Sequence, residues 1–325
     1  MQQKLIYRSF GKPLEVLELE SAPIPEPQEN EALIKLEYAN INPSDMGMIG
    51  GSYGKLAELP ATAGREGVGT ILSIKGDTNG LSAGDRVRYP ESAGTWQSHC
   101  TAPTADLFKI PSSIDPEQAA ALFINPPTAL MLLKSFVDLK EGDWIIQNAG
   151  NSSVGTWVIQ LAAAMGYKTI NLVRRESLFG PLEELGADVV LVDEDDYPKK
   201  LKELTGGASP KLALNSIGGN SVSRMIKCLG ESGVCVTFGG MVGDPVRFPT
   251  RFLIFNDVQL RGFWMDKWTR THSKEDLANL YQELFEWIEK HNIHTPIQEV
   301  FELKDFSKAI KAFSKPRMGK ILFKS

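Results

Sequence analysis

Three groups of residues in this chain have the types and spacing that chemistry needs. The first is Gln147-Asn148-Ala149-Gly150-Asn151-Ser152-Ser153-Val154-Gly155, set between an apolar run and a helical run. A turn of this kind holds an anion when a strand ends, backbone N–H groups point outward, and the next helix brings its positive N-terminal end to the charge. The dinucleotide fingerprint has a glycine at each of its key positions. Here Gly150 serves the tight bend and Gly155 the close packing of the helix, while Ser152 takes the middle place. Serine is small enough for the backbone to approach a pyrophosphate, and its hydroxyl can donate to a phosphate oxygen. As a bare pattern, the turn is also an ordinary connection of small residues.

The second group is Arg174 and Arg175 in "TINLVRRES", about 20 residues past the glycine turn, where the fingerprint reads the ribose. An acidic residue there suits NAD and an arginine accommodates the 2′-phosphate of NADP, so the pair predicts NADPH. Lys320 in "RMGKILFKS" is a further basic candidate, explained equally well as a surface lysine. The third group is Tyr53 in "GGSYG". Its phenol is protonated at neutral pH and can donate to an oxygen or carbon that gathers negative charge. Gly50, Gly51 and Gly54 frame it as a tightly turned or flexible loop. A loop tyrosine with its hydroxyl in water is the plain alternative.

Zinc is the other chemistry to look for, because many two-domain dehydrogenases of this layout use it. A catalytic zinc takes about three protein ligands from thiolate, imidazole and carboxylate. In "ATAGREGVGTI" the place where a metal-dependent relative has histidine is Arg65, and Glu66 alone cannot make a site. His99 and Cys100 are consecutive β positions whose side chains face opposite ways. Cys100, Cys228 and Cys235 form no close-spaced pair. A metal-free mechanism is expected, and disulfides are not.

The elements that must position these groups follow from texture. The first third alternates short extended runs, "LIYRSF", "LEVLELE", "EALIKLEYANIN", "GVGTILSIKG", "DRVRYP" and "LFKIP", with Pro, Gly, Asn and Asp clusters, as an antiparallel β domain does. "SIDPEQAAALFINPPTALMLLKSF" is helical in spacing but broken at Asn125-Pro126-Pro127. From Asp143, strands near "WIIQNA", "KTINLVR", "DVVLVD", "KLALNSI", "VCVTFGG" and "VQLRGFW" alternate with amphipathic stretches. The fold class is therefore α/β, with a doubly wound six-stranded parallel sheet. "KEDLANLYQELFEWIEKHN" reads as an amphipathic helix whose apolar face is core. The tail after it reads as strand, helix, strand. The boundaries expected are 1–122 with 266–325 for a discontinuous β-rich domain and 123–265 for the dinucleotide-binding domain.

Phe263, Trp264 and Trp268 in "RGFWMDKWTR" follow the last strand of that sheet. Aromatics there suit an acyl pocket or the nicotinamide side of a cleft, and core packing explains them equally well. Asn42 and Asp45 read as turn formers. The chain has 325 residues, 42% apolar and 23% charged, with a formal net charge of −5. That is ordinary soluble-enzyme composition with no overall positive field for nucleic acid or anionic lipid. No apolar run nears the roughly 18 residues that cross a bilayer, and the N-terminus reaches charges too early for a secretion signal. A cytoplasmic protein is expected, a mitochondrial one with its transit peptide removed having the same sequence.

"INPSDMGMIGGSYGKLAELPATAGREGVGTI", "INPPTALMLL", "IIQNAGNSSVGTWVIQLAAAMG", "TINLVRR", "LALNSIGG", "VTFGGM" and "LIFNDVQLRGFW" together resemble the medium-chain dehydrogenase/reductase superfamily. Within it they are similar to the zinc-free 2-enoyl thioester reductases of mitochondrial type, over nearly the whole chain. The resemblance implies a GroES-like catalytic domain beside a Rossmann domain, and NADPH-dependent reduction of a trans-2-enoyl thioester on CoA or acyl carrier protein. It implies that Tyr53 is catalytic; Trp264, from its place after the last strand, is the other candidate catalytic residue. Beside Gly150 and Gly155, which the turn itself offers, it implies nucleotide contacts at Asn125, at Asn151, Ser152, Ser153 and Val154, and at Arg174 and Arg175. Further contacts fall on Phe238, Gly239, Gly240 and Met241, on Phe263, Trp264 and Met265, and on Lys320. A second proline in "INPPTA" and Arg175 in place of an acidic residue depart from the family form. The resemblance implies a homodimer, with "VQLRGFW" pairing across a two-fold axis. A quinone or alkenal reductase of the same superfamily shares fold and cofactor, and a non-catalytic NADPH-sensing protein shares the binding alone.

Overall fold

The computed structural model describes residues 1–241 and 243–325. The chain divides into two units, Met1–Phe123 with Thr295–Ser325, and Ile124–His294.

In the first unit the long strand Glu31–Asn40 organises a mostly antiparallel sheet. Its neighbours are Gly67–Lys75, His99–Pro103 and Lys320–Lys324, with Arg86–Arg88 and Ile297–Glu302 further out. Ile297–Glu302 runs parallel to Lys320–Lys324, which the helix Phe306–Phe313 between them makes possible. A smaller sheet joins Leu17–Ala22, Gln2–Tyr7 and Ala61–Thr62. Leu5, Tyr7, Ile34, Trp96 and Phe323 fill the core. Trp96 donates its indole N–H to the Asn40 carbonyl at 3.1 Å and meets the Phe323 ring edge-on. Gly64, at φ +91°, passes this ring so closely that a Cβ would lie 2.3 Å from Trp96 Cδ1. Only glycine satisfies both demands.

The second unit carries the six-stranded parallel sheet, ordered Val189–Val192, Lys168–Val173, Trp144–Asn148, Leu212–Asn215, Val234–Thr237, Gln259–Gly262. Crossover helices bury the central strands, all but Lys168 at the start of one of them, so these read as apolar runs rather than alternating ones. The break at Pro126-Pro127 is the start of a helix, Asn125–Lys134, not an interruption within one. Both prolines sit in its first turn, where no intrahelical donor is required. The edge strand Gln259–Gly262 is exposed throughout.

The unit boundary departs from the sequence expectation at one end. The helix Lys274–His291 belongs with the dinucleotide-type unit, so the return to the first unit comes at 295 instead of 266. Its stripe of Leu280, Tyr281, Leu284 and Phe285 is buried, and Glu283 takes the Lys134 ammonium of the Asn125–Lys134 helix at 2.6 Å. Amide side chains mark the passage: Gln160 brackets the backbone of His294 in the second unit, and Gln118 brackets Thr295 in the first.

Candidate active site

The turn that opens the second unit's sheet is built by three separate devices. Ala149 takes the left-handed conformation at φ +49°, the bend the sequence reading assigned to Gly150. Gly150 is needed for room, since its Cβ would lie 3.0 Å from that of Asn171. Gly155 is needed more strictly: a Cβ there would stand 2.5 Å from the Gly150 carbonyl oxygen and 2.7 Å from that of Ala149. Ser152 caps the helix Ser153–Ala164, its oxygen accepting from the Gly155 N–H at 3.1 Å. The expected donation to a phosphate uses the hydroxyl hydrogen, which this cap leaves free. Ser153 begins the helix with a buried hydroxyl oxygen that has no hydrogen-bond partner among the described residues. Val154 is buried in the unit's core.

Amides below the turn hold it rigid. Gln147 donates to the Gly155 carbonyl and to Asn171, while Asn148, facing the opposite way, donates to Asn215 and Ser221. The Asn148 side-chain oxygen Oδ1 accepts from the Ser216 N–H at 2.8 Å, and Asn215 donates to Thr237. These residues were missed as site residues; their signal was a polar side chain closing each apolar strand.

The remaining second-unit candidates gather at the same carboxyl ends of the strands, where open parallel sheets bind ligands. Gly150 N–H donates to the Leu172 carbonyl at 3.1 Å, which sets Arg174 and Arg175 beside the turn. Arg174 is exposed and Arg175 half-buried, and neither guanidinium has a partner among the described residues. Phe238 N–H reaches the Asn215 carbonyl, Met241 N–H that of Ser216, and Gly239 packs on Ser216. Phe263 N–H reaches Thr237. Trp264, half-buried, precedes the helix Met265–Thr271 and lies under the Arg270 guanidinium, while Met265 is buried. Asn125 is buried at the head of its helix, and Asn151 and Gly240 lie in the loops.

Tyr53 stands in the first unit, just past the helix Pro43–Ile49. Its N–H donates to the Gly47 carbonyl at 3.2 Å, and the Arg65 guanidinium lies over its ring, 4.6 Å from the centroid. Gly51, at φ +74°, turns the chain there. Asn42 and Asp45 form the capping box of this helix, in keeping with their reading as turn formers. Behind it is a buried charged cluster that sequence reasoning did not find. Glu66 accepts from the Phe123 N–H and from the amides of Asn40 and Asn42, at 2.7 to 2.8 Å. Lys320, 4% exposed, donates to Asn42, so its ammonium is turned into the first unit's interior and it is not the surface lysine that one of its two readings had. Burial brings Lys320 down to about 8, opposed by Glu66 and Asp45. Burial pushes Asp45 up to about 7, against the Asn42 N–H and the Arg65 charge.

This last shift has a sign that denaturation can read. The folded carboxyl of Asp45 holds its proton up to about 7 while the unfolded one releases it near 3.8, so its contribution to stability is full below pH 3.8 and fades as pH rises through 7. Asp45→Asn therefore gains stability relative to the parent as urea denaturation is moved from pH 4 to pH 7.5. A difference that stays constant with pH contradicts the shift.

Comparison with known proteins places this geometry. The alcohol dehydrogenase GroES-like domain matches residues 28–112 and the zinc-binding dehydrogenase family matches residues 153–286. The mitochondrial enoyl-[acyl-carrier-protein] reductase of Rattus norvegicus is 38% identical over 319 residues, which are 96% of this chain and 85% of that protein. Among solved structures, the Etr1p/NADP/crotonyl-CoA complex superposes with a TM-score of 0.91 at 27% identity, covering 100% of this chain and 99% of that one. A mycobacterial quinone oxidoreductase superposes with a TM-score of 0.85 at 28% identity, covering 100% of both chains. The zinc in the second family's description does not fit the residues present. Among the described residues no group of three His, Cys, Asp or Glu side chains is set to hold a metal ion. Both Glu66 oxygens are taken, and burial pushes the Cys100 thiol up to about 12, far from the thiolate a metal needs. The chain belongs to the medium-chain dehydrogenase/reductase superfamily and, within it, to the family of the mitochondrial enoyl-[acyl-carrier-protein] reductases.

Proposed function

We propose that this chain reduces trans-2-enoyl thioesters, carried on CoA or on an acyl carrier protein, to the saturated thioesters with NADPH. The observation that carries the reading is 38% identity to an enoyl-[acyl-carrier-protein] reductase spread over 96% of the chain. The second unit supports the cofactor on its own terms, through a Ser153 hydroxyl and two arginines that have no partner among the described residues and through the close passage at Gly155. In this reading the backbone of the turn and the hydroxyls of Ser152 and Ser153 hold the pyrophosphate, and Arg174 and Arg175 hold the 2′-phosphate. Asn125, Asn151, Phe238 to Met241 and Phe263 to Met265 line the rest of the dinucleotide. Lys320 is left out, since its ammonium is engaged inside the first unit.

When bound, NADPH supplies a hydride to the β carbon. The thioester oxygen then gathers negative charge, and the α carbon must take a proton. Tyr53 is the donor, with Trp264 an aromatic wall for the nicotinamide or the acyl chain. A quinone reductase is the second reading, favoured by the equally complete superposition on the mycobacterial quinone oxidoreductase. The exposed Gln259–Gly262 edge and the apolar side chains beside it, Ile254 at 70% and Phe255 at 77% exposed, support a homodimer formed across that edge.

Tyr53→Phe separates the two enzymatic readings. With crotonyl-CoA it is expected to lose on the order of 10²- to 10⁴-fold in kcat, the range for a positioned proton donor, with NADPH affinity unchanged. An enzyme whose only turnover is of quinones, unaffected by this change, contradicts the proposal. Replacing Arg174 and Arg175 together by alanine is expected to raise KM for NADPH at least tenfold more than KM for NADH; an equal loss removes their role. Light scattering should give a dimer mass for the parent protein and half that mass for Ile254→Asp combined with Phe255→Asp, whereas a monomeric parent at micromolar concentration refutes the edge pairing.

A further inference from the structure

We propose that Arg65 is a positioning residue for Tyr53: its guanidinium holds the phenol ring in place and favours the phenolate left when the hydroxyl gives up its proton. The proposal rests on the reading of Tyr53 as the donor. Its basis is geometric. The guanidinium carbon lies 4.6 Å from the Tyr53 ring centroid, within the range of a cation–π contact. The cation is fixed from its far side, because Nε and one terminal nitrogen of Arg65 both donate to the same Glu91 oxygen at 2.7 and 2.6 Å. Arg65 is only 4% exposed, so little water lies between the charge and the ring. Gly64, which no other residue can replace beside Trp96, aims the backbone that carries it.

The phenol is gripped from two sides. Its backbone is tied to Gly47, where a Cβ would come 3.5 Å from the tyrosine ring and Cβ, and its face is covered by the guanidinium. A ring so held loses little freedom on reaching a reactive pose. In the reaction, the Tyr53 O–H bond breaks and its proton forms the new C–H bond at the α carbon. When bound, NADPH would supply the hydride for the β carbon and leave as NADP⁺, and the phenolate would regain a proton from water. A nearby cation stabilises the phenolate more than the phenol, so it lowers the barrier to that transfer. The other charged groups around the pair are Glu91, Asp45 on the helix Pro43–Ile49, Glu66, and Lys320 with Arg317 near it. Among them Arg65 alone is found over the ring face.

The test compares Tyr53→Phe, Arg65→Met and Arg65→Lys with the parent, measuring kcat for crotonyl-CoA from pH 6 to 10, NADPH affinity by fluorescence, and melting. Arg65→Met is expected to lose about tenfold or more in kcat and to move the alkaline limb upward by about one unit, with NADPH affinity unchanged. Arg65→Lys keeps the charge but cannot lie flat and grip Glu91 with two N–H groups at once, so a smaller loss, roughly fivefold, is expected. Should Arg65→Met fail to fold, the Lys variant decides alone, and parental kcat in it overturns the proposal. A lower kcat with the limb unmoved in a folded Arg65→Met reduces Arg65 to packing and also overturns it. If Tyr53→Phe is as active as the parent, the reading of Tyr53 falls and this proposal with it. If Tyr53→Phe is inactive and Arg65→Met is indistinguishable from the parent, only the role of Arg65 falls.

Discussion

The passage of Gly155 beneath the carbonyls of Ala149 and Gly150 is the constraint on which the second unit's chemistry depends. A helix that begins so close to the strand it follows leaves no space for a side chain, since a Cβ there would meet backbone oxygen at 2.5 Å. On the proposed reading, the free N–H groups of the first helical turn and the hydroxyls of Ser152 and Ser153 are what that closeness offers to a phosphate. The amides of Gln147 and Asn148 fix the strand end on both faces of the sheet, so the turn is a rigid part of the scaffold rather than a mobile loop. Ala149 takes the left-handed bend that the first glycine of the common fingerprint would make, and at the middle place a small serine closes the helix with its own cap.

The first unit meets a different demand. On the proposed reading it presents the neutral phenol of Tyr53 to a developing negative charge without a metal to share the work. A cation behind the phenol's face is one solution, but a buried guanidinium must itself be compensated. Glu91 does this at the surface side of Arg65, and the interior behind it holds Glu66 together with Asp45 and Lys320, whose charged forms burial opposes. Asn40 and Asn42 satisfy the Glu66 carboxylate so that it can stay inside. The same Asn42 begins the helix that ends beside Tyr53, so the charge cluster and the phenol share a backbone.

Much of this was legible in the sequence, for reasons that differ residue by residue. The β–α alternation after Asp143 is visible because buried parallel strands are continuous apolar runs, and the arginine pair is visible because its distance from the turn is set by one crossover. The place of the helix Lys274–His291 was not legible. Its stripe says that a face is covered, and nothing in a stripe says by which unit; the Lys134–Glu283 ion pair that helps assign it spans 149 residues. One reading of Lys320 used the default that charges lie outside, and Glu66 was weighed only as a metal ligand; the default fails wherever amides and opposite charges meet a charge in the interior. Arg65 was noticed only for the ligand it is not, because the stacking that gives it a part depends on a contact across a turn that spacing does not reveal.

The account is tested most directly by following label through one turnover. Purified protein is given crotonyl-CoA with NADPH deuterated at the transferring position of C4, in ordinary water, and the product thioester is analysed by mass spectrometry and NMR. The account predicts butyryl-CoA with one deuterium, on the β carbon, and ordinary hydrogen from solvent on the α carbon. Deuterium at the α carbon, or oxidation of NADPH with no saturated thioester formed, contradicts it.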